Sequence, residues 1–256
     1  MLPPSRRSWW PEALLLAGFA GLTFALWRGV FLGLDVDLYH WVEAHRPPVM
    51  YWLARGLNYL GQGSPLTVLA AGVAGLLVWR RHTVRPLLPV IGAYLLTGFT
   101  ILPLKILFHR APPHNQNGVA HPERLFSDPH SQSYPSGHAT NAIIWYGVLA
   151  LLLAAVLAPR LRRGLRLGPP IVVCISTTYL GYHWLTDTVA GLLLGLALER
   201  VLVRVPWDRV PLGRRLAAAG WAGPWLPADA PGAPSARASH RHWAIQSHFS
   251  APGGTG

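Results

Sequence analysis

Two histidines, one aspartate and a lone lysine carry the chemistry this sequence offers. His138 stands in Tyr134-Pro135-Ser136-Gly137-His138, where a polar stretch gives way to a long apolar run. Ser136 suits a helix N-cap, and Gly137 lets an anion approach the backbone. The first N–H groups of a helix lack intrahelical partners and carry the positive end of its dipole. The same residues would therefore serve as a plain cap or seat an anion such as phosphate. Further on, His183 and Asp187 follow Ser176 by 7 and 11 residues. At 3.6 residues per turn a continuous helix puts all three on one face. A carboxylate beside an imidazole fixes one nitrogen's proton and frees the other to attack or to accept a proton. It would equally lock two segments together as a structural pair. Lys105, the only lysine in the chain, has His109 one turn after it and Arg110 next. It either binds an anion or snorkels from a helix end to the headgroups.

The elements that must position these residues are apolar blocks. Of the 256 residues 51% are hydrophobic and only 12% charged, which argues for a multi-span membrane protein over a soluble core. The net charge of +12 raises nucleic acid as a partner. The arginines cluster between apolar runs, however, and form no basic, aromatic-studded soluble face, so the reading is no nucleic acid and a bilayer instead. Cys174, the only cysteine, is read as a packing residue.

The expected fold is all-α: a six-helix membrane bundle with a short interfacial helix after span 1 and a disordered C-terminal tail. Span 1 is Pro11 to Leu32, retained rather than cleaved although Arg6 and Arg7 precede it. The mixed stretch Leu34 to Asn58 reads as interfacial helix. Span 2 is Pro65 to Trp79, span 3 Pro86 to Phe108, span 4 Ser136 to Leu157, span 5 Pro169 to Tyr182 and span 6 Leu185 to Val203. Basic turns at Arg80–Arg85 and Arg160–Arg166, with Arg6, Arg7, Arg200, Arg204 and Arg209, fall on one side. The positive-inside rule makes that side cytoplasmic, with both termini. The loop His109 to Tyr134 and the junction at His183 then face the other way. Residues 1–205 form the expected membrane domain, 206–221 a short cytoplasmic interfacial helix, and 222–256 a tail whose composition marks it as disordered. The tail histidines His240, His242 and His248 are too scattered to suggest a metal site.

Together these stretches resemble the type 2 phosphatidic acid phosphatase superfamily. The family pattern has three parts: Lys-x6-Arg-Pro, Pro-Ser-Gly-His and Ser-Arg-x5-His-x3-Asp. Pro135-Ser136-Gly137-His138 matches the second in full. Ser176, His183 and Asp187 match the third, and Lys105 and Pro113 the first. Pro112 and Thr177 stand where the family has arginines that bind phosphate. Arg110, two residues before Pro112, is the expected substitute, and His109, His114, Arg124 and His130 are further candidates on the same face.

The resemblance implies a lipid phosphatase of the membrane branch. His183 would attack phosphorus and form a phosphohistidine, Asp187 would orient it, and His138 would protonate the leaving oxygen. Lys105, Arg110, Ser136 and Gly137 would hold the phosphate, with His109, Ser176 and Thr177 as accessories. No metal or cofactor is implied, because the ammonium and the helix N-terminus supply the positive field. The expected activity is hydrolysis of a lipid phosphate or diphosphate at the extracytoplasmic face of a bacterial plasma membrane. Alternatives are transfer to an alcohol acceptor, or a non-catalytic lipid-binding homologue.

Overall fold

The computed structural model describes residues 8–114, 118–213, 219–221 and 223. Eight α-helices and two 3-10 turns form among them, and no strand. The helices are α1 (Trp10–Trp27), α2 (Leu32–Ala44), α3 (Pro48–Asn58), α4 (Gly63–Arg81), α5 (Leu87–Phe108), α6 (Gly137–Leu152), α7 (Pro159–Tyr179) and α8 (Leu185–Arg204).

α6 is the axis of the bundle. Thirteen of its 16 residues are buried, and α4, α5, α7 and α8 pack around it. Such a helix is apolar all round because every face meets another helix. The outer helices differ. α1, α4 and α5 are each long and apolar enough to cross a bilayer. They turn Leu14, Phe24, Val68 and Phe99 outward, a pattern that suits hydrocarbon rather than water.

The stretch after span 1 is two helices rather than one. Pro47 and Pro48 lack the N–H that a continuing helix needs, and Pro48 instead opens α3 at its first position. The basic stretch Arg160–Arg166 is also not a turn. It forms the first turns of α7, which begins at Pro159 and runs through Pro169 and Pro170. Arginine is a good helix former and proline is tolerated at the first helical position, so the chain turns before Pro159. Span 4 stops early, at Leu152. Of the expected helix at 206–221, the described part holds only a 3-10 turn at Trp207–Arg209. Trp207 is buried there, and Arg85 donates to the Trp207 and Val210 carbonyls. Residues 214–218 and all of 222–256 except 223 lie outside the described residues.

The arginines of α7 and α8 gather at one end of the bundle. Arg166 pairs with Glu199, and Arg200 and Arg204 both reach Glu12, at 3.0 and 2.7 Å. The other end holds the C-termini of α3, α5 and α7 and the N-termini of α4, α6 and α8. There α6 and α8 cross with almost no clearance at Gly191 and Gly195. A Cβ on Gly191 would stand 2.6 Å from the Ser136 carbonyl oxygen, and one on Gly195 3.1 Å from Thr140 Cα. Small residues four apart let two helix backbones touch. Contact here lets Thr140 Oγ1 donate to the Gly191 carbonyl at 3.1 Å. It also lets Ser136 N–H donate to the Asp187 carbonyl at 2.9 Å. Gly191→Ala should therefore cost about 1–3 kcal/mol by overpacking. It should lower the thermal midpoint in detergent, while Gly21→Ala, whose new methyl meets nothing within 4 Å, should not.

Candidate active site

The α6–α8 contact brings the start of α6 against the loop that precedes α8. His138 and His183 meet there, Nδ1 to Nε2, at 3.3 Å. Both histidines, with Lys105 and Gly137, line a cavity of ≈ 680 Å³. Its rim comes from Gly61–Pro65 before and within α4, from His130–Ser133 in the long loop, and from Tyr182. His183, Asp187, His138, Lys105 and Gly137 are thus brought to one place, but not by one continuous helix: α7 ends at Tyr179 and α8 begins at Leu185, so His183 lies between helices and Ser176 is left out.

His183 sits on the short α7–α8 connection and is 5% exposed. Its Nδ1 faces Ser133 Oγ at 3.2 Å, and Ser133 Oγ in turn donates to Asp187 Oδ2 at 2.5 Å. The Asp187 carboxylate itself is 3.7 Å from His183 Nδ1, an ion-pair distance rather than a hydrogen bond. Asp187 also accepts the Trp184 N–H at 3.0 Å and so caps α8. A serine hydroxyl carries one proton and an ionised carboxylate carries none. Ser133 therefore gives its proton to Asp187 and accepts one from His183 Nδ1–H. The lone pair of His183 is then on Nε2, facing His138. Burial pushes the His183 imidazole below its ordinary 6.5 and opposes its protonation, although the Asp187 carboxylate pulls the other way.

Arg110 does not substitute for the absent arginines. Its side chain is fully buried, away from the lining of the cavity. Nη2 donates to Asp35 Oδ2 at 2.6 Å and to the Glu123 carbonyl at 2.6 Å, and Nε to the same carbonyl at 2.9 Å. Nη1 donates to Asp187 Oδ1 at 2.5 Å and to Thr186 Oγ1 at 2.8 Å. A guanidinium has five N–H donors, and these five bonds use them all. Asp35 was not singled out from the sequence. It lies in α2 and is 1% exposed, and it also accepts the Thr186 N–H at 3.0 Å.

Ser136 is buried with its Oγ capping α6, accepting from Ala139 N–H at 3.3 Å. Ser176 donates back to the Val173 carbonyl within α7. The Thr177 hydroxyl is buried with no partner among the described residues. Neither residue lines the cavity. His109 takes a left-handed conformation after α5 and lines an apolar groove on the outer side of that helix. Among the other loop candidates His114 and His130 line the cavity, and Arg124 is exposed elsewhere. Lys105 Nζ donates to the Gln132 carbonyl, and its stem passes where a Cβ on residue 137 would stand, 3.2 Å from Lys105 Cε. Gly137 therefore makes room for the one lysine.

Residues 86–211 match the family model of the PAP2 superfamily. Over that stretch the chain is similar to the PAP2 superfamily. An undecaprenyl-diphosphatase of Sulfolobus acidocaldarius is 36% identical over 77 residues, which are 30% of this chain and 35% of that protein. The chain thus spans about a third of the length of that curated relative. The crystal structure of a PAP2 type phosphatidylglycerolphosphate phosphatase from Bacillus subtilis superposes with a TM-score of 0.64 at 24% identity, over 75% of this chain and 94% of that one. The likeness is one of fold. Aquifex aeolicus LpxE matches at a TM-score of 0.47 and 22% identity, over 66% of this chain and 94% of its own. The PAP2 match takes in α5 to α8 and leaves α1 to α4 outside, so Asp35 lies beyond the family motifs and could be found only in three dimensions.

Removing Arg110 leaves two buried carboxylates without a counter-ion, a loss of about 3–5 kcal/mol. Arg110→Met should therefore abolish folded protein or lower its thermal midpoint steeply. A phosphate-binding arginine would instead raise KM with the midpoint intact, and a thermal melt beside a kinetic assay separates the two.

Proposed function

We propose that the protein is an integral membrane phosphatase that hydrolyses a lipid phosphate or diphosphate monoester through a phosphohistidine at His183. The observation that carries this reading is the facing pair, His183 Nε2 and His138 Nδ1 at 3.3 Å, at a cavity that also holds Lys105 and the start of α6. A nucleophile backed by an oriented partner, an acid opposite it and a cavity beside them with a lysine in its wall make the constellation for acyl or phosphoryl transfer. The phosphatase names of the relatives favour phosphoryl transfer.

Phosphate enters between the two imidazoles. His183 Nε2 forms a bond to phosphorus as the bond to the lipid oxygen breaks, and protonated His138 passes its Nδ1 proton to that oxygen. Neutral His138 then takes a proton from water. The resulting hydroxide attacks phosphorus, the N–P bond breaks, and inorganic phosphate leaves with His183 restored. Lys105 and the free N–H groups at Gly137 offset the negative charge of the transferring group. Asp187, through Ser133, keeps the Nδ1 proton on His183 and balances its positive charge in the intermediate.

A lipid substrate is supported by a second groove. Val68, Tyr94, Ile101, Leu102 and Trp145 line a channel between α4, α5 and α6 of ≈ 480 Å³. That channel shares Gly63, Ser64, Lys105 and Asn141 with the polar cavity. A phosphate at Lys105 would thus leave its acyl or prenyl chain against apolar surface open to the bilayer. In this reading all six helices of 16 or more residues cross the membrane, and the arginine end is cytoplasmic by the positive-inside rule. The site then faces the extracytoplasmic side. The same intermediate would serve transfer to an alcohol, which an assay with added acceptor alcohols would reveal as a new lipid.

Three outcomes test the reading. His183→Ala should release no phosphate from long-chain lipid phosphates in chelator under conditions where the wild type turns over, and equal rates would end the proposal. Gly98→Phe, whose side chain would grow into the open groove, should lower kcat/KM for long-chain substrates and spare short-chain ones. The acid limb of kcat/KM should fall at a pH below 6.5. Activity needs neutral His183, and burial keeps that imidazole neutral at acidity where a free one is charged.

A further inference from the structure

Asn58 ends α3 and lies outside the stretch that matches the PAP2 family. It is 3% exposed. Its Nδ2 stands 3.2 Å from His138 Nε2, the ring nitrogen turned away from His183. Its Oδ1 is also buried and has no hydrogen-bond partner among the described residues. The approach of α3 to His138 is tight. The 3-10 turn that follows, Tyr59–Gly61, is wedged against α6 and α7. A Cβ on Gly61 would come 2.4 Å from Val173 Cγ1 and 3.3 Å from His138 Cβ.

One hydrogen-bond direction runs through the resting site. Asp187 can only accept, so Ser133 donates to it and His183 Nδ1–H donates to Ser133. His183 Nε2 then accepts from His138 Nδ1–H, and His138 Nε2 accepts from Asn58 Nδ2–H. This arrangement is self-consistent but cannot itself catalyse. If His138 lost its Nδ1 proton from this neutral form it would become an imidazolate. The working acid is the imidazolium, which carries a proton on Nε2 as well and needs an acceptor there. A half-turn of the Asn58 amide presents Oδ1 in place of Nδ2.

We propose that Asn58 is a positioning residue that satisfies His138 Nε2 in both protonation states by turning its amide, so that Nδ1 alone carries protons to and from the reacting oxygens. The inference rests on the phosphohistidine reading above and deepens it. A side chain with a donor and an acceptor of similar shape fits a histidine that is an acid in one half-reaction and a base in the next. A carboxylate would hold His138 charged, and an apolar residue would leave Nε2–H without a partner. The other titratable or charged groups that face His138 are His183 and Tyr182 from the segment before α8 and Lys105 from α5, with Asp187 behind His183.

The test uses the full-length protein in detergent and two isosteric variants, Asn58→Asp and Asn58→Leu. The pH profile of kcat/KM is measured with an alkyl phosphate lipid and with 4-nitrophenyl phosphate, whose leaving group needs no acid. Asn58→Asp should move the alkaline limb to higher pH by about one unit or more, because a carboxylate favours the charged imidazole. Asn58→Leu should move it to lower pH and cut kcat for the alkyl substrate about 10²-fold, the usual size of a general-acid contribution. The loss with 4-nitrophenyl phosphate should be much smaller. A packing defect would lower both substrates alike and leave the limbs in place. If both variants keep the wild-type limbs and substrate ratio while His183→Ala is inactive, the role of Asn58 is wrong and the phosphohistidine stands. If His183→Ala is as active as the wild type, the phosphohistidine itself is wrong. Should Asn58→Leu not fold, the Asn58→Asp limb decides alone, and an unmoved limb overturns the proposal.

Discussion

The site depends on one buried cation. Arg110 ties three elements that are remote in sequence: Asp35 on α2, Asp187 at the start of α8 and the Glu123 carbonyl in the long loop. The same loop returns to it, since Ser133 N–H donates to the Arg110 carbonyl at 2.9 Å. Ser133 is thereby held between Asp187 and His183. Burying a guanidinium is costly unless its donors are all used and its charge is matched. Here all five donors are used, and two carboxylates face it. The result is a rigid block that sets the position of Asp187 and, through Ser133, the proton on His183. Arg110 fixes Asp187 without touching the cavity.

That arrangement changes what the absent arginines mean. With Pro112 and Thr177 in place of charged residues, and Arg110 committed to the carboxylates, the fixed positive charge at the cavity is Lys105. The backbone N–H groups at the start of α6 are the other source of positive field. His114 and His130 on the rim, like His138, add charge only when protonated. A site poor in permanent charge stabilises a singly transferring phosphoryl group less than one with two more arginines.

The sequence carried His183, Asp187, His138 and Lys105 because each lies in a short local motif. His183 and Asp187 are four residues apart at the entry to α8, and Pro135-Ser136-Gly137-His138 opens a helix. The two ends of Lys105 to Pro113 also fall within reach of one helix terminus. The bundle was legible from its apolar blocks for the same reason. What the sequence hid is long-range pairing. Asp35 reads as one more polar residue in an interfacial stretch, and nothing in its neighbours says that it is 1% exposed against an arginine 75 residues away. Arg110 reads as a free cation beside a phosphate motif until its partners are known. Asn58 is the last residue of a mixed helix and matches no motif. Arg160–Arg166 reads as a turn because charge marks span ends, yet charge and helix are compatible, and α7 simply begins earlier.

The glycines at the α6–α8 crossing link fold to chemistry more directly than any single catalytic residue. Gly191 is one turn after Asp187, and its contact with Ser136 fixes the start of α6 relative to the start of α8. His138 is two residues after Ser136, so the separation of the two imidazoles is set by backbone contact rather than by long side chains. On the opposite flank Gly61, in the 3-10 turn after α3, packs so close that a Cβ there would stand 3.3 Å from His138 Cβ. Two close approaches, one on each side, fix the backbone that carries His138. Phosphoryl transfer asks for reacting atoms held to a few tenths of an ångström. Helix backbones in contact provide that tolerance where lysine and histidine rotamers alone would not.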